Sequence, residues 1–328
     1  MAITCNEQVQ QAKPPDAAAY HPPRARSLWD DAARTFLRNK AGMCGLVIVL
    51  CLFIVAIFAP VLAPYNYLQQ NYTVIMQPPS AHHLMGTDAL GRDLLSRVLM
   101  SLRTAVLVAT LITIIAGVFG ILLGALAGLL GGWINLVITW IMDALLTVPP
   151  LWFAAFISVA TRPGLANLTA WLYQTTHWAA WQDSIVLDYL VVVSCLGVVS
   201  WPGIGRIVRG QVLSLREKEF IEAERALGAS NWWIIRKHLL PNVLGPVIVA
   251  LSVNFGYAML FEASLSFLGI GIRPPGASLG QMISDGVEYY RSAPYLVAMP
   301  GLVLAVIVLA FNFVGDALND ALNPKARR

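Results

Sequence analysis

Residues 222–241 read EAERALGASNWWIIRKHLLP, a polar, charge-dense island between two long apolar runs. A segment this charged is too costly to place in hydrocarbon, so it must stand at a membrane face. Ala, Leu, Glu and Arg favour helix through Ala226. Gly228 is expected to stop that helix, because glycine takes the left-handed conformation of a tight turn without steric cost. Ser230 is placed to cap a second helix running to Leu240, which Pro241 is expected to end. The stretch therefore reads as a short helix, a turn and another helix.

Composition places the surroundings in a bilayer. The 328 residues are 57% hydrophobic and 12% charged, against roughly 25% charged in a soluble domain. The fold class is all-α, a polytopic membrane protein with six transmembrane helices. Residues 1–26 are rich in Ala, Gln and Pro and read as disordered, and residues 27–40 as a short interfacial helix closing a cytoplasmic tail. Residues 41–63 are charge-free and long enough to span, which takes about 20 helical residues. The polar leader and the long apolar run fit a retained helix better than a cleaved signal peptide.

Residues 64–103 are polar, with Leu90, Leu94, Leu95, Val98, Leu99 and Leu102 on one face of a helix expected to lie along the outer membrane surface. The transmembrane core follows over residues 104–315. Its first span, 104–130, carries Gly117, Gly120, Gly124 and Gly128, a small-residue stripe against which another helix can pack closely. Residues 134–160 should be kinked at Pro149–Pro150. Residues 162–183 read as a Trp-rich connection, 184–203 as the fourth span, and 206–241 as the polar segment quoted above. Residues 243–268 form the fifth span, 269–293 an outer loop, 294–314 the sixth span, and 316–328 a polar tail.

Charge orients the bundle. With both tails and the 206–241 segment inside, 16 of the 22 Lys and Arg are cytoplasmic, so the positive-inside rule favours two cytoplasmic termini. No lysine follows a glycine, so the chain carries no phosphate-binding loop, and energy from ATP must come from another polypeptide. No nucleophile, base and orienting group come together, and no catalytic residue is assigned. Cys5, Cys44, Cys51 and Cys195 give no disulfide pattern. His82–His83 is a histidine pair in a polar loop with no nearby Cys or Glu to complete a metal site. Asp143, Asp188 and Glu262 sit at or near membrane depth, where ionisable groups face a wet cavity or the protein interior. Asp143 and Glu262 are candidates for lining a translocation path, with structural hydrogen bonding as the competing reading.

The spacing from Glu222 to Pro241 resembles the coupling motif of ABC-transporter permeases: Glu-Ala-Ala, three residues, Gly, nine residues, Ile, one residue, Leu-Pro. Glu222, Ala223, Gly228, Leu240 and Pro241 match, while Glu224 stands at the second alanine and His238 at the isoleucine. GTDALGRDLLSRVLMSLR (86–103), SFLGIGIRPPGASLG (266–280) and DALNDALNPK (316–325) resemble signatures of the dipeptide, oligopeptide and nickel importer branch, in its C-type subunit. The resemblance implies a type I ABC importer permease fold in a bacterial inner membrane. It implies as partners a homologous second permease, separate ATP-binding subunits and a periplasmic solute-binding protein, with the lipid bilayer as surroundings and no nucleic acid. ATP would be bound by the partner, and this chain would hold no cofactor. Glu222, Ala223, Arg225, Ala226, Gly228, Ala229, Ser230, Leu240 and Pro241 would make the contacts to the ATPase. Di- or oligopeptides are the implied solutes, with nickel or another small peptide-like compound as the alternative. A proton-coupled secondary transporter relaying through Asp143 and Glu262 is less favoured, since inverted repeats with broken helices are not found.

Overall fold

The computed structural model describes residues 28–322; the expected disordered leader, Cys5 and the last residues of the polar tail lie outside the described residues. Helix α1 (Leu28–Arg38) leads into α2 (Lys40–Leu62), where the Asn39 side chain accepts from the Gly42 N–H at 3.0 Å and caps the helix. Then come α3 (Leu94–Leu130), α4 (Gly132–Thr147), α5 (Pro150–Thr176), α6 (Ser184–Arg216) and α7 (Glu219–Ala226). Helices α8 (Asn231–Ile234), α9 (Leu240–Phe267), α10 (Leu279–Val287) and α11 (Tyr295–Leu322) complete the chain, with no strand longer than an isolated bridge among the described residues. Among the described residues five helical runs are long and apolar enough to cross a membrane, and α4 with α5 makes a sixth if that bent pair is one span.

The glycine stripe packs as expected. A Cβ on Gly124 would lie 2.5 Å from the Gly205 carbonyl oxygen, and one on Gly120 2.7 Å from Ile204 Cβ. Helices α3 and α6 are therefore in near-backbone contact, the arrangement that dispersion favours where lipid removes the hydrophobic drive between helices. Gly42 and Gly45 of α2 meet α11 in the same way, at Ala317 and at the Ala310 carbonyl.

Several boundaries differ from the sequence reading, each for a physical reason. The amphipathic stretch expected on the membrane surface forms the first turns of α3, a continuous 37-residue helix. At 1.5 Å per residue it is about 55 Å long, well beyond a hydrocarbon core of about 30 Å, so one helix serves as both span and polar extension. Asp93 starts it by accepting from the Ser96 N–H and hydroxyl, both at 2.8 Å. The polar first turns are held by charge: Asp88 accepts from Arg92 Nε (2.7 Å) and from buried Arg97 Nη1 (2.6 Å), and Arg97 reaches Asp285 of α10 at 3.5 Å.

The expected kink at Pro149–Pro150 is a bend of 98° between α4 and α5, because prolines force the residues around them out of helix. Helix α5 then continues through much of the expected Trp-rich connection to Thr176. Arg162 does not break it, since its guanidinium pairs with Asp188 of α6, whose other oxygen accepts from the Arg273 N–H at 2.9 Å. The expected polar tail from residue 316 is helical as far as Leu322, and the expected outer loop carries α10.

Candidate functional site

The polar island protrudes from one end of the bundle as a hairpin. Helix α6 carries the chain out and ends at Arg216. Helix α7 follows with Glu219 and Glu222 in its first turn, where carboxylates meet the positive end of the helix dipole. Gly228 takes φ +81°. The Leu227 N–H bonds the Ala223 carbonyl and the Ala229 N–H reaches back to the Glu224 carbonyl, both at 3.0 Å. The latter, six-to-one bond marks a Schellman ending, with glycine at its left-handed position. Ser230 Oγ then accepts from the Trp233 N–H at 3.3 Å and starts α8.

Pro241 does not end this second helix. Residues Ile235–Leu239 widen into a π-helical segment, and Pro241 sits in the first turn of α9. The Leu240 N–H bonds the Ile235 carbonyl, five residues back, and the Asn242 side-chain amide donates to the His238 carbonyl at 2.7 Å. Widening by one residue makes room for the pyrrolidine ring, and the helix passes into the span instead of stopping.

The hairpin has two unlike faces. Ile221, Ile234 and Leu239 are fully buried, packed with Leu129 of α3, Val208 and Val212 of α6, and Val243 of α9. Outward, Leu227 is 85% exposed and Trp232 62%, with Glu222, Ala223, Ala226, Gly228 and Ser230 exposed around them and Ala229 half-buried. Arg225 lies within α7, but its side chain is outside the described residues. Leu240 and Pro241 stand away from the turn, at the start of α9.

The two departures from the permease motif touch each other. His238 Nε2 lies 3.2 Å from Glu224 Oε1, close enough for an ion pair but not aligned as a hydrogen bond. The imidazole also sits 5.1 Å from the Trp233 ring and 6.0 Å from Phe220, while Lys237 Nζ stands 4.8 Å above the Trp233 ring. A carboxylate–imidazole contact beside aromatic rings thus links α7 to the π segment, where the motif has apolar residues.

The ionisable path candidates do not meet. Asp143 is exposed and pairs with Arg206 Nη2 at 2.5 Å, tying α4 to α6. Glu262 is fully buried near the opposite end of α9. Its Oε1 accepts from the Ser266 and Ser278 hydroxyls, both at 2.9 Å, and its Oε2 has no partner among the described residues. Of the histidine pair, His83 Nδ1 lies 2.9 Å from Asp93 Oδ1, so that ring supports the residue that starts α3.

A cavity of about 850 Å³ opens between α6, α9 and the end of α11, lined in part by Ser200, Gln211, Asn254, Tyr257 and Asn319. Asn254 Nδ2 is shielded beside it without a hydrogen-bond partner among the described residues, a condition that costs about 1–3 kcal/mol. The sequence reading passed over these residues because it looked for ionisable groups. The available signal was neutral amides isolated in apolar spans.

Residues 120–328 match the model of the family described as binding-protein-dependent transport system inner membrane component, and residues 27–79 match the N-terminal TM domain of oligopeptide transport permease C. The chain is 37% identical over 303 residues to a dipeptide transport system permease protein of Alkalihalophilus pseudofirmus, covering 92% of each chain. It is 36% identical to an oligopeptide transport system permease protein of Escherichia coli, over 92% of this chain and 93% of that one. The corresponding Mycobacterium tuberculosis protein is 35% identical, over 90% and 94%. Among solved structures, the inward-facing methionine ABC transporter MetNI is similar with a TM-score of 0.47 and 21% identity, over 66% of this chain and 94% of that chain.

Proposed function

The chain belongs to the family of binding-protein-dependent transport system inner membrane components, and from that premise we propose that it is one permease subunit of an ATP-driven peptide importer. Similar proteins named for dipeptide and oligopeptide transport favour peptides over the nickel alternative. In this reading the hairpin end of the bundle is cytoplasmic, as are both termini. A homologous permease supplies the other half of the path, ATP is bound and hydrolysed on separate subunits, and a periplasmic protein delivers the solute.

The hairpin carries the reading. Its buried side is fused to α3, α6 and α9 through Ile221, Ile234 and Leu239, and its other side offers Leu227 and Trp232 to solvent. Large apolar residues that protrude from a polar turn are what a receiving groove on a partner requires. Closure of the ATPases would push on the turn around Gly228. Because α6 is one continuous 33-residue helix in near-backbone contact with α3, the push reaches the far end as movement of packed rods and not as local yielding. Glu222, Ala223, Arg225, Ala226, Ala229 and Ser230 act in docking and take no part in chemistry. Leu240 and Pro241 fix the angle at which the hairpin joins α9.

Co-purification in mild detergent tests this. The wild-type complex should retain its ATPase subunits. Leu227→Asp with Trp232→Asp should release them, at least tenfold in apparent affinity, the loss of two anchors at about 1.4 kcal/mol per tenfold, while the chain still inserts and binds its second permease. Peptide uptake by the isolated chain, or retention of the ATPases by the double variant, would overturn the assignment.

A further inference from the structure

We propose that the groove between α6, α9 and the end of α11 is a solute-binding part of the translocation path, one that holds a short peptide by neutral hydrogen-bonding groups and does not select on side-chain charge. The proposal rests on the peptide-import reading and adds to it a place and a chemistry.

Size comes first. The cavity of about 850 Å³ lies within the roughly 300–1,000 Å³ of small-molecule sites. Its lining runs along α6 from Ser200 to Gln211, about 16 Å at the helical rise. A dipeptide or tripeptide, at about 3.3–3.6 Å per extended residue, fits inside that length.

Chemistry narrows the occupant. The polar side chains lining the groove are Ser200, Gln211, Asn254, Tyr257 and Asn319, and among the described residues no Asp, Glu, Lys, Arg or His lines it. Hydroxyls and carboxamides offer donors and acceptors together, which suits a peptide backbone. The Asn254 amide nitrogen, shielded by the protein's own atoms, lacks an acceptor among the described residues, so turning it toward the groove gives up no hydrogen bond there. A lipid chain cannot supply one, and amides facing lipid would stay unsatisfied. Peptides vary in side-chain charge while sharing one backbone, and a lining without formal charge treats all of them alike. Asp143 and Glu262, the ionisable candidates, stand outside the groove, in an exposed ion pair and a buried serine cluster.

Gly203 provides a probe that leaves packing intact, because it lines the groove and a Cβ there meets nothing within 4 Å. The experiment uses the whole complex in proteoliposomes, with uptake of Ala-Ala, Lys-Ala and Glu-Ala measured in parallel. Gly203→Trp should lower Ala-Ala uptake at least tenfold with all subunits still co-purifying. Unchanged uptake would mean that the groove faces lipid, and loss of the second permease that the partner subunit fills it and leaves no path; either overturns the proposal. Asn254→Asp should raise the Lys-Ala to Glu-Ala uptake ratio at least tenfold over wild type, a comparison from which receptor preference cancels. An unchanged ratio overturns the neutral-lining claim. Gly203→Cys, in a chain with Cys5, Cys44, Cys51 and Cys195 replaced, should react with a membrane-impermeant thiol reagent added on the hairpin side, and an unreactive thiol overturns the groove assignment whatever the solute. Absence of uptake of every peptide by the wild-type complex would refute the peptide reading alone, since the thiol result does not depend on it.

Discussion

Gly228 sets the shape of the hairpin, and its environment separates two effects that usually travel together. Its φ of +81° lies where side chains other than glycine are strained, yet a Cβ there would meet nothing within 4 Å. Substitution therefore costs only backbone strain within this chain. For an ordinary L-residue in the left-handed region that is roughly 1–2 kcal/mol, and a β-branched residue pays the most. At about 1.4 kcal/mol per tenfold, Gly228→Val shifts the hairpin away from its native turn by roughly 5- to 30-fold. Asparagine is of similar size but visits the left-handed region routinely, so Gly228→Asn should cost far less.

The assay follows peptide uptake and ATP hydrolysis together in proteoliposomes holding the full complex. Gly228→Val should raise the ATP consumed per peptide several-fold and leave membrane insertion intact. Gly228→Asn should behave nearly as wild type, with Gly228→Ala between them. Normal coupling in the valine variant would refute the reasoning. An asparagine variant as damaged as valine would refute it in another way, by showing that the partner's surface rejects any side chain and that backbone angle is not the cause.

Three further outcomes follow from packing and charge. Removing Glu224 and His238 singly and together (Glu224→Ala, His238→Ile) should show a coupling of about 0.5–1 kcal/mol, as expected for a partly exposed pair; hydrogen exchange of the α7 amides should change by about two- to fivefold, and strictly additive effects would deny the contact. Gly124→Val places its Cβ 2.5 Å from the Gly205 carbonyl oxygen, so it should lower stability in detergent by about 1–3 kcal/mol, whereas an unchanged melting temperature would mean that α3 and α6 are not so close. Arg97→Ala leaves Asp88, buried and 2.6 Å from it, with Arg92 as its remaining cation beside the Leu90 and Arg92 N–H groups, at a cost of about 1.5–3 kcal/mol; the loss should appear as lower thermal stability, and a variant as stable as wild type would show that this network is not tied through Arg97.

Local chemistry was legible in the sequence, and pairing across the fold was not. Gly228 and Ser230 announced a turn and a cap because both effects act within a few residues, and the folded chain has both. The glycine stripe likewise named its own face, though not α6 as the helix that packs there. Pro241 misled because its effect depends on whether a widened turn can absorb the ring, and that depends on Ile235 and Leu239 being anchored among side chains from α3, α6 and α9. Residues 162–176 misled because Arg162 in isolation argues for a loop, while Arg162 beside Asp188 permits a helix. Glu224 and His238 counted as two separate departures from a motif until the hairpin closed and set them 3.2 Å apart. In each miss, a side chain's cost or freedom was set by a partner distant in sequence. In a bilayer that partner matters more than in water, because lipid offers an unpaired polar group no substitute. The same condition makes Asn254 informative: its amide nitrogen is shielded in an apolar span with no acceptor among the described residues, and a polar group left so calls for an explanation.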